Sequence, residues 1–184
     1  GGKEMSIEIS QKFDAIGRDI LTGARNELYL NMRFLDLALS SLKYVMNTNT
    51  YGLGTDGFHL YFDPQYLVDL YRLDRIKINR AYLHNVFHCI FRHLLKQGRR
   101  EKRLWDLACD IAIEHVIDGL NHRSIRYPRN AFRQNCYGAL EKKLKVLTAE
   151  KIYKLFMEEA PEEYKIRKLE KEFRIDDHSL WPKP

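Results

Sequence analysis

Cysteine is scarce in this sequence: Cys89, Cys109 and Cys136 are the only three in 184 residues. An odd, small number gives no disulfide framework, so reduced thiols in a cytoplasmic protein are expected. No apolar run is long enough to span a bilayer, and the polar N-terminus shows no secretory signal, so no membrane partner is expected. Glycine-rich loops, aromatic–basic interleaving, zinc-knuckle spacing, internal repeats and low-complexity segments are also missing. What remains is 45% hydrophobic, enough to build a sizeable core in one globular domain spanning residues 1–184. The net charge of +6 gathers in Lys96–Arg103 and Lys142–Lys145. These read most simply as a solvated turn and a solvated helix face, and nothing further supports nucleic acid as a partner.

The apolar periodicity is mostly helical. It predicts helices over 11–25 and 28–46, the second carried by Met32, Leu35, Leu39, Leu42 and Met46. Gly54-Thr55-Asp56-Gly57 signals a hairpin between Tyr51-Gly52-Leu53 and the alternating stretch Phe58–Phe62, with His59 facing solvent. Asp63-Pro64 starts a short helix to about Arg72. A longer helix follows and ends near Gly98-Arg99-Arg100, and another runs to Gly119. Asn121–Gly138 reads as a long loop that could cover a site. Thr148 caps a helix to about Glu159, a Lys/Glu-rich helix reaches Phe173, and the rest reads as a tail. The expected class is α+β, mainly helical, with a small strand element.

Chemistry concentrates between Ala81 and Asp118. His84 and His88, four apart on a helix, project from one face and can hold one zinc ion. In the H-E-x-x-H motif of zinc peptidases the Glu is the general base; here that position is Asn85. On an unbroken helix His93 points about 160° from the pair at 100° per residue, so it joins them only if the helix breaks after His88. Asp106, Asp110 and Glu114 form an acidic stripe on the next helix, an expected antiparallel neighbour. Asp110 is the favoured third ligand, with Glu114 behind it orienting a ligand histidine. His93 stands as a supporting residue or an alternative ligand. Cys89 and Cys109 flank the ligands and read as small buried hydrophobes.

These segments resemble the zincin-like metallopeptidase domain that precedes a von Willebrand A-like domain in many bacterial proteins. The likeness rests on His84, His88 and His93, then Trp105 and Ala108-Cys109-Asp110. It extends upstream to Thr55-Asp56-Gly57 with Leu60-Tyr61-Phe62, and downstream to Asp176-Asp177-His178-Ser179-Leu180-Trp181. It implies a zincin-like fold, a zinc cofactor, a strand whose edge pairs with extended substrate, and work alongside a von Willebrand A-like domain and a MoxR-type AAA+ ATPase. The departure from the family pattern is Asn85.

Three functions follow: a zinc hydrolase whose base comes from elsewhere, a zinc-binding pseudoenzyme that binds a peptide or protein, or a metal-free helical scaffold with a basic surface. An amide cannot take the proton of zinc-bound water, so the expected state is metal-bound and catalytically impaired.

Overall fold

A 30-residue helix, α1 (Gly2–Asn31), opens the computed structural model, which describes residues 2–184. Leu21, Ala24 and Leu28 form its core face. Gly17 lies against the Phe62 ring, where a Cβ would overlap a ring carbon. The two helices expected over 11–25 and 28–46 are not what forms. α1 runs unbroken to Asn31, and Met32 leaves helical geometry at φ −132°, ψ 60°. A 3-10 turn (Arg33–Leu35) and the short α2 (Asp36–Ser40) follow, and then a strand, β1 (Lys43–Met46). Met32, Leu35, Leu39 and Leu42 are all buried as their spacing suggests. A mixture of helical turns satisfies that spacing as well as one helix does, and Tyr44-Val45 suits a pleated surface.

The hairpin forms. β2 (Leu53–Thr55) runs antiparallel to β3 (His59–Phe62), and β1 pairs parallel to the other side of β3, giving the order β1-β3-β2. Asp56 fixes the turn. Its Oδ1 accepts from the amides of Phe58 and His59 at 2.8 Å each, and its Oδ2 accepts from the Tyr61 hydroxyl at 2.8 Å. His59 is therefore half-buried and bonded to Asp56 rather than simply facing solvent. The strand expected to offer an open edge is instead the central one. The outer edge of β2 is occupied as well: the Asp177 amide donates to Leu53 O at 2.7 Å, and Gly54 pairs with Asp177.

The remaining helices are α3 (Pro64–Leu73), α4 (Arg75–Ile90), α5 (Lys102–Gly119), α6 (Ala131–Glu141), α7 (Ala149–Glu159) and α8 (Glu163–Phe173). Asp63, Asp74, Glu101, Asn130 and Thr148 each accept an amide at a helix start. The architecture is α+β, mainly helical. Among the described residues no helix is long and apolar enough to cross a membrane.

Three further expectations are corrected. α4 stops at Ile90, well before Gly98, because Arg92 adopts left-handed geometry (φ 58°) and a 3-10 turn, His93–Leu95, follows. Much of the expected loop Asn121–Gly138 is α6. The irregular part packs beside the starts and ends of other helices: Asn79 donates to Ser124 O, and the Ser124 amide to Asn31, each within 3.0 Å. The residues after α8 are no free tail, since Asp176, Asp177, His178 and Trp181 are buried.

Two apolar clusters meet along the α4–α5 pair. One gathers Leu83, Val86 and Phe87 with α1 and the sheet; the other gathers Trp105, Ile152, Phe156, Phe173 and Trp181. Residues 81–88 of α4 are buried on every face, so the histidine side is not a polar, solvated one.

Candidate metal centre

α4 and α5 lie side by side and antiparallel: His84 meets Glu114, and His88 meets Asp110. At their centre His84 Nε2 and His88 Nε2 approach to 2.9 Å. Asp110 Oδ1 sits 2.9 Å from the first and 3.0 Å from the second. Two residues from the segment after α8 enter the same space. His178 Nε2 is 2.9 Å from Asp110 Oδ1, and Asp176 Oδ1 is 3.0 Å from His84 Nε2 and 2.9 Å from His178 Nε2. His84, His88, Asp110, Asp176 and His178 thus offer five donor atoms within 4.8 Å of one another, all buried.

The outer nitrogen of each imidazole is held in turn. His84 Nδ1 lies 2.9 Å from Glu114 Oε2, His88 Nδ1 lies 3.0 Å from His93 Nδ1, and His178 Nδ1 lies 3.2 Å from Asp106 Oδ1. An acceptor on Nδ1 keeps the proton there and leaves the Nε2 lone pair pointing inward, the tautomer a metal needs. For His88 the acceptor must be a neutral imidazole. Burial, followed by the nearby His88, pushes His93 down to about 2, so that ring carries no extra proton. Trp105 Nε1 donates to His93 O at 3.2 Å and fixes the turn that brings His93 back.

The charges balance around the same point. Burial would lift the carboxyls of Asp110 and Asp176, but His178 and the other imidazoles hold both well below the usual range. Burial would lower His84 and His178, but the carboxylates beside them raise both well above the ordinary histidine value. Two buried negative charges therefore require two positive ones, supplied either by protons on two imidazoles or by one divalent ion. Glu114 is answered separately: Arg133 Nη1 reaches it at 2.8 Å and Arg80 Nη2 at 3.5 Å, and His84 with these cations holds its carboxyl at about 2 against the effect of burial.

Asn85 is fully buried and committed to its own helix, with Nδ2 donating to Ala81 O at 2.9 Å. Its Oδ1 has no hydrogen-bond partner among the described residues. The cysteines lie outside the donor group: Cys109 is buried, and Cys89 has Thr55 Oγ1 at 3.9 Å. A cleft of about 460 Å³, lined by Lys102, Asp106, Arg174 and Ser179, reaches the centre from the α5 side at Asp110, Asp176 and His178. The cations at the α4–α5 connection are engaged locally: Lys96 with Glu150, Lys102 with Asp106, Arg103 with Glu163 and Glu170, and Arg100 over the Trp105 ring.

Of the residues singled out from sequence, the structure gathers His84, His88 and Asp110 around one point. It places Glu114 behind His84, and His93 behind His88 on the far side of that ring. Asp176 and His178 were not among the candidate ligands; spacing gave no reason to include them, and their place in the closing Asp-Asp-His stretch was the one signal that could have.

A family model described as "Putative metallopeptidase domain" matches residues 18–179, a span that includes all five donors. No curated protein and no solved structure matches the chain.

Proposed function

The chain belongs to this metallopeptidase-domain family, and from that premise we propose that it is a zincin-like, zinc-binding domain whose hydrolytic chemistry is impaired. One observation carries the metal: three imidazoles have their Nδ1 atoms held from outside while their Nε2 atoms converge on buried carboxylates. The donor set fits a divalent ion chemically, since imidazole and carboxylate are ordinary zinc ligands and the two carboxylates offset its charge. His84, His88 and Asp110 would hold it in this reading. A bound zinc ion supplies Lewis acidity and lowers the pKa of a coordinated water.

Hydrolysis also needs a residue to carry the water's proton. Asn85 has neither the titrating group nor a free position, because its amide bonds back to Ala81. Glu114 is no substitute, being locked between His84 and two arginines behind the site. The domain is therefore a metal-stabilised binding module. Its partner would be a peptide or protein, and the family resemblance suggests a von Willebrand A-like domain and a MoxR-type AAA+ ATPase as its working assembly.

Metal analysis of the purified protein tests the reading. About one zinc per chain is expected, lost in a His84→Ala/His88→Ala double variant. Full metal content in that variant would remove the pair from the site. Robust, chelator-sensitive peptide cleavage by the unaltered protein would overturn the impairment.

A further inference from the structure

We infer that Asp176 and His178 are themselves metal ligands, and that they close the coordination shell with five protein donors so that no position is left for water or substrate. This rests on the metal reading above and extends it.

The first support is the inner face of the segment after α8. His178 Nε2 points at the same two carboxylate oxygens as His84 Nε2, Asp110 Oδ1 and Asp176 Oδ1, and His178 Nδ1 has its own carboxylate, Asp106, as His84 Nδ1 has Glu114. It is built as a ligand histidine in the same way as His84. The second support is Asp176, which is 1% exposed and spans the pair, with Oδ1 3.0 Å from His84 Nε2 and Oδ2 3.5 Å from His88 Nε2. Oδ2 is buried without a hydrogen-bond partner among the described residues. A carboxylate oxygen stripped of water and left without a donor is costly unless a cation completes it.

The third support is what the segment displaces. A zinc site that activates water keeps one coordination position open, whereas a structural site has all positions filled by protein. Three donors from α4 and α5 would leave such a position. Here Asp176 and His178 line the cleft beside Asp110, and Asp177 lies between them on the edge of β2. The edge where an extended peptide would pair and the position where its carbonyl would coordinate are both filled by one short piece of the chain. The ion then acts as a clasp that ties residues 176–178 to α4 and α5.

Cobalt(II) in place of zinc reports this directly, because its visible absorption differs in strength and position between four- and five-coordinate sites. The apoprotein is loaded with cobalt(II), its spectrum is recorded, and azide is added as a small exogenous ligand. A five-coordinate spectrum unchanged by azide is expected. His178→Ala should open a position: its spectrum should respond to azide, and its cobalt affinity should fall by at least about tenfold. Asp176→Asn keeps the shape of the side chain and should weaken cobalt by a similar factor while remaining folded. Hydrogen exchange gives a second readout, with amides 175–181 expected to slow on metal addition in the unaltered protein. If the unaltered protein binds cobalt but its spectrum responds to azide, or if both variants bind as well as it does, the closed shell is overturned and the metal reading stands. If the unaltered protein takes up no cobalt or zinc, the metal reading fails and the closed shell with it.

Discussion

Trp181 lies flat on the imidazole of His178, with ring centroids 3.8 Å apart and planes 16° apart, while meeting the His88 ring edge-on at 5.0 Å. The indole thus fixes the orientation of a ring that has only two bonds of freedom and seals the centre on that side. Trp181→Ala should weaken zinc binding by about tenfold, in the range usual for residues that orient a ligand. Competition against a chromophoric chelator would measure it, and unchanged affinity would show that His178 does not depend on the stack.

Metal binding should release protons. Without metal, His84 and His178 are raised well above the ordinary histidine range by the carboxylates they face. A metal must displace those protons, so its apparent affinity rises with pH until both imidazoles are neutral without it, and levels off above that. Calorimetric titration with zinc in buffers of different ionisation enthalpy should report a release of about two protons near neutral pH. Zero release would mean that the imidazoles are already neutral in the apoprotein.

Glu114→Gln tests the residue behind His84. The amide can still occupy the space, but it loses the charge that holds the His84 Nδ1 proton and answers Arg80 and Arg133. Zinc affinity should drop by about 10- to 100-fold. Stability should fall too, because two nearly buried guanidinium groups lose a carboxylate they share. Urea unfolding of the metal-free protein separates the second effect from the first.

Gly54→Ala addresses the contact between the sheet and the closing segment. A Cβ at position 54 would stand 2.7 Å from the Asp177 carbonyl oxygen and 2.8 Å from Leu180 Cδ1. The segment must move outward, at a cost of about 1–3 kcal/mol. The increase in thermal unfolding temperature on adding zinc should shrink relative to the unaltered protein. An equal increase would show that the ion does not need the segment in place.

Asp56 governs acid behaviour at the hairpin. Burial would raise its carboxyl, but the hydrogen bonds from His59, Phe58 and Tyr61 bring it from 3.8 down to about 2. A folded-state value below the unfolded one contributes stability that is complete above pH 3.8 and lost as pH falls through 2. With solvent screening the contribution is about 1 kcal/mol. The stability difference between the protein and Asp56→Asn, from urea unfolding, should be present at pH 6 and vanish near pH 2.

Local signals were readable in the sequence where local chemistry decides the outcome. Asp63-Pro64 and Thr148 start helices because their side-chain oxygens accept the orphan amides there. Asp56-Gly57 makes a hairpin turn, and the spacing of His84, His88, Asp110 and Glu114 brings them together once α4 and α5 pair. Distant contacts were not readable. β1 pairs parallel with β3 across a long connection, so no local turn announces it. The end of α4 depends on Arg92 adopting left-handed geometry, which its side chain does not advertise. α4 ends before His93, so the angle of an unbroken helix does not place that residue; the reversal at Arg92 sets it at the back of His88. Asp176 and His178 belong to a polar stretch without periodicity, and only the assembled core gives them their place.

The bridge from Gly54 to Asp177 joins positions far apart in the chain, and this sets an order of events during synthesis. α4 and α5, which carry His84, His88 and Asp110, are made well before residues 176–178. Asp176 and His178 emerge only after α6, α7 and α8 have been made. An ion met before that point would find at most the three donors of α4 and α5, and residues 176–178 would complete the set.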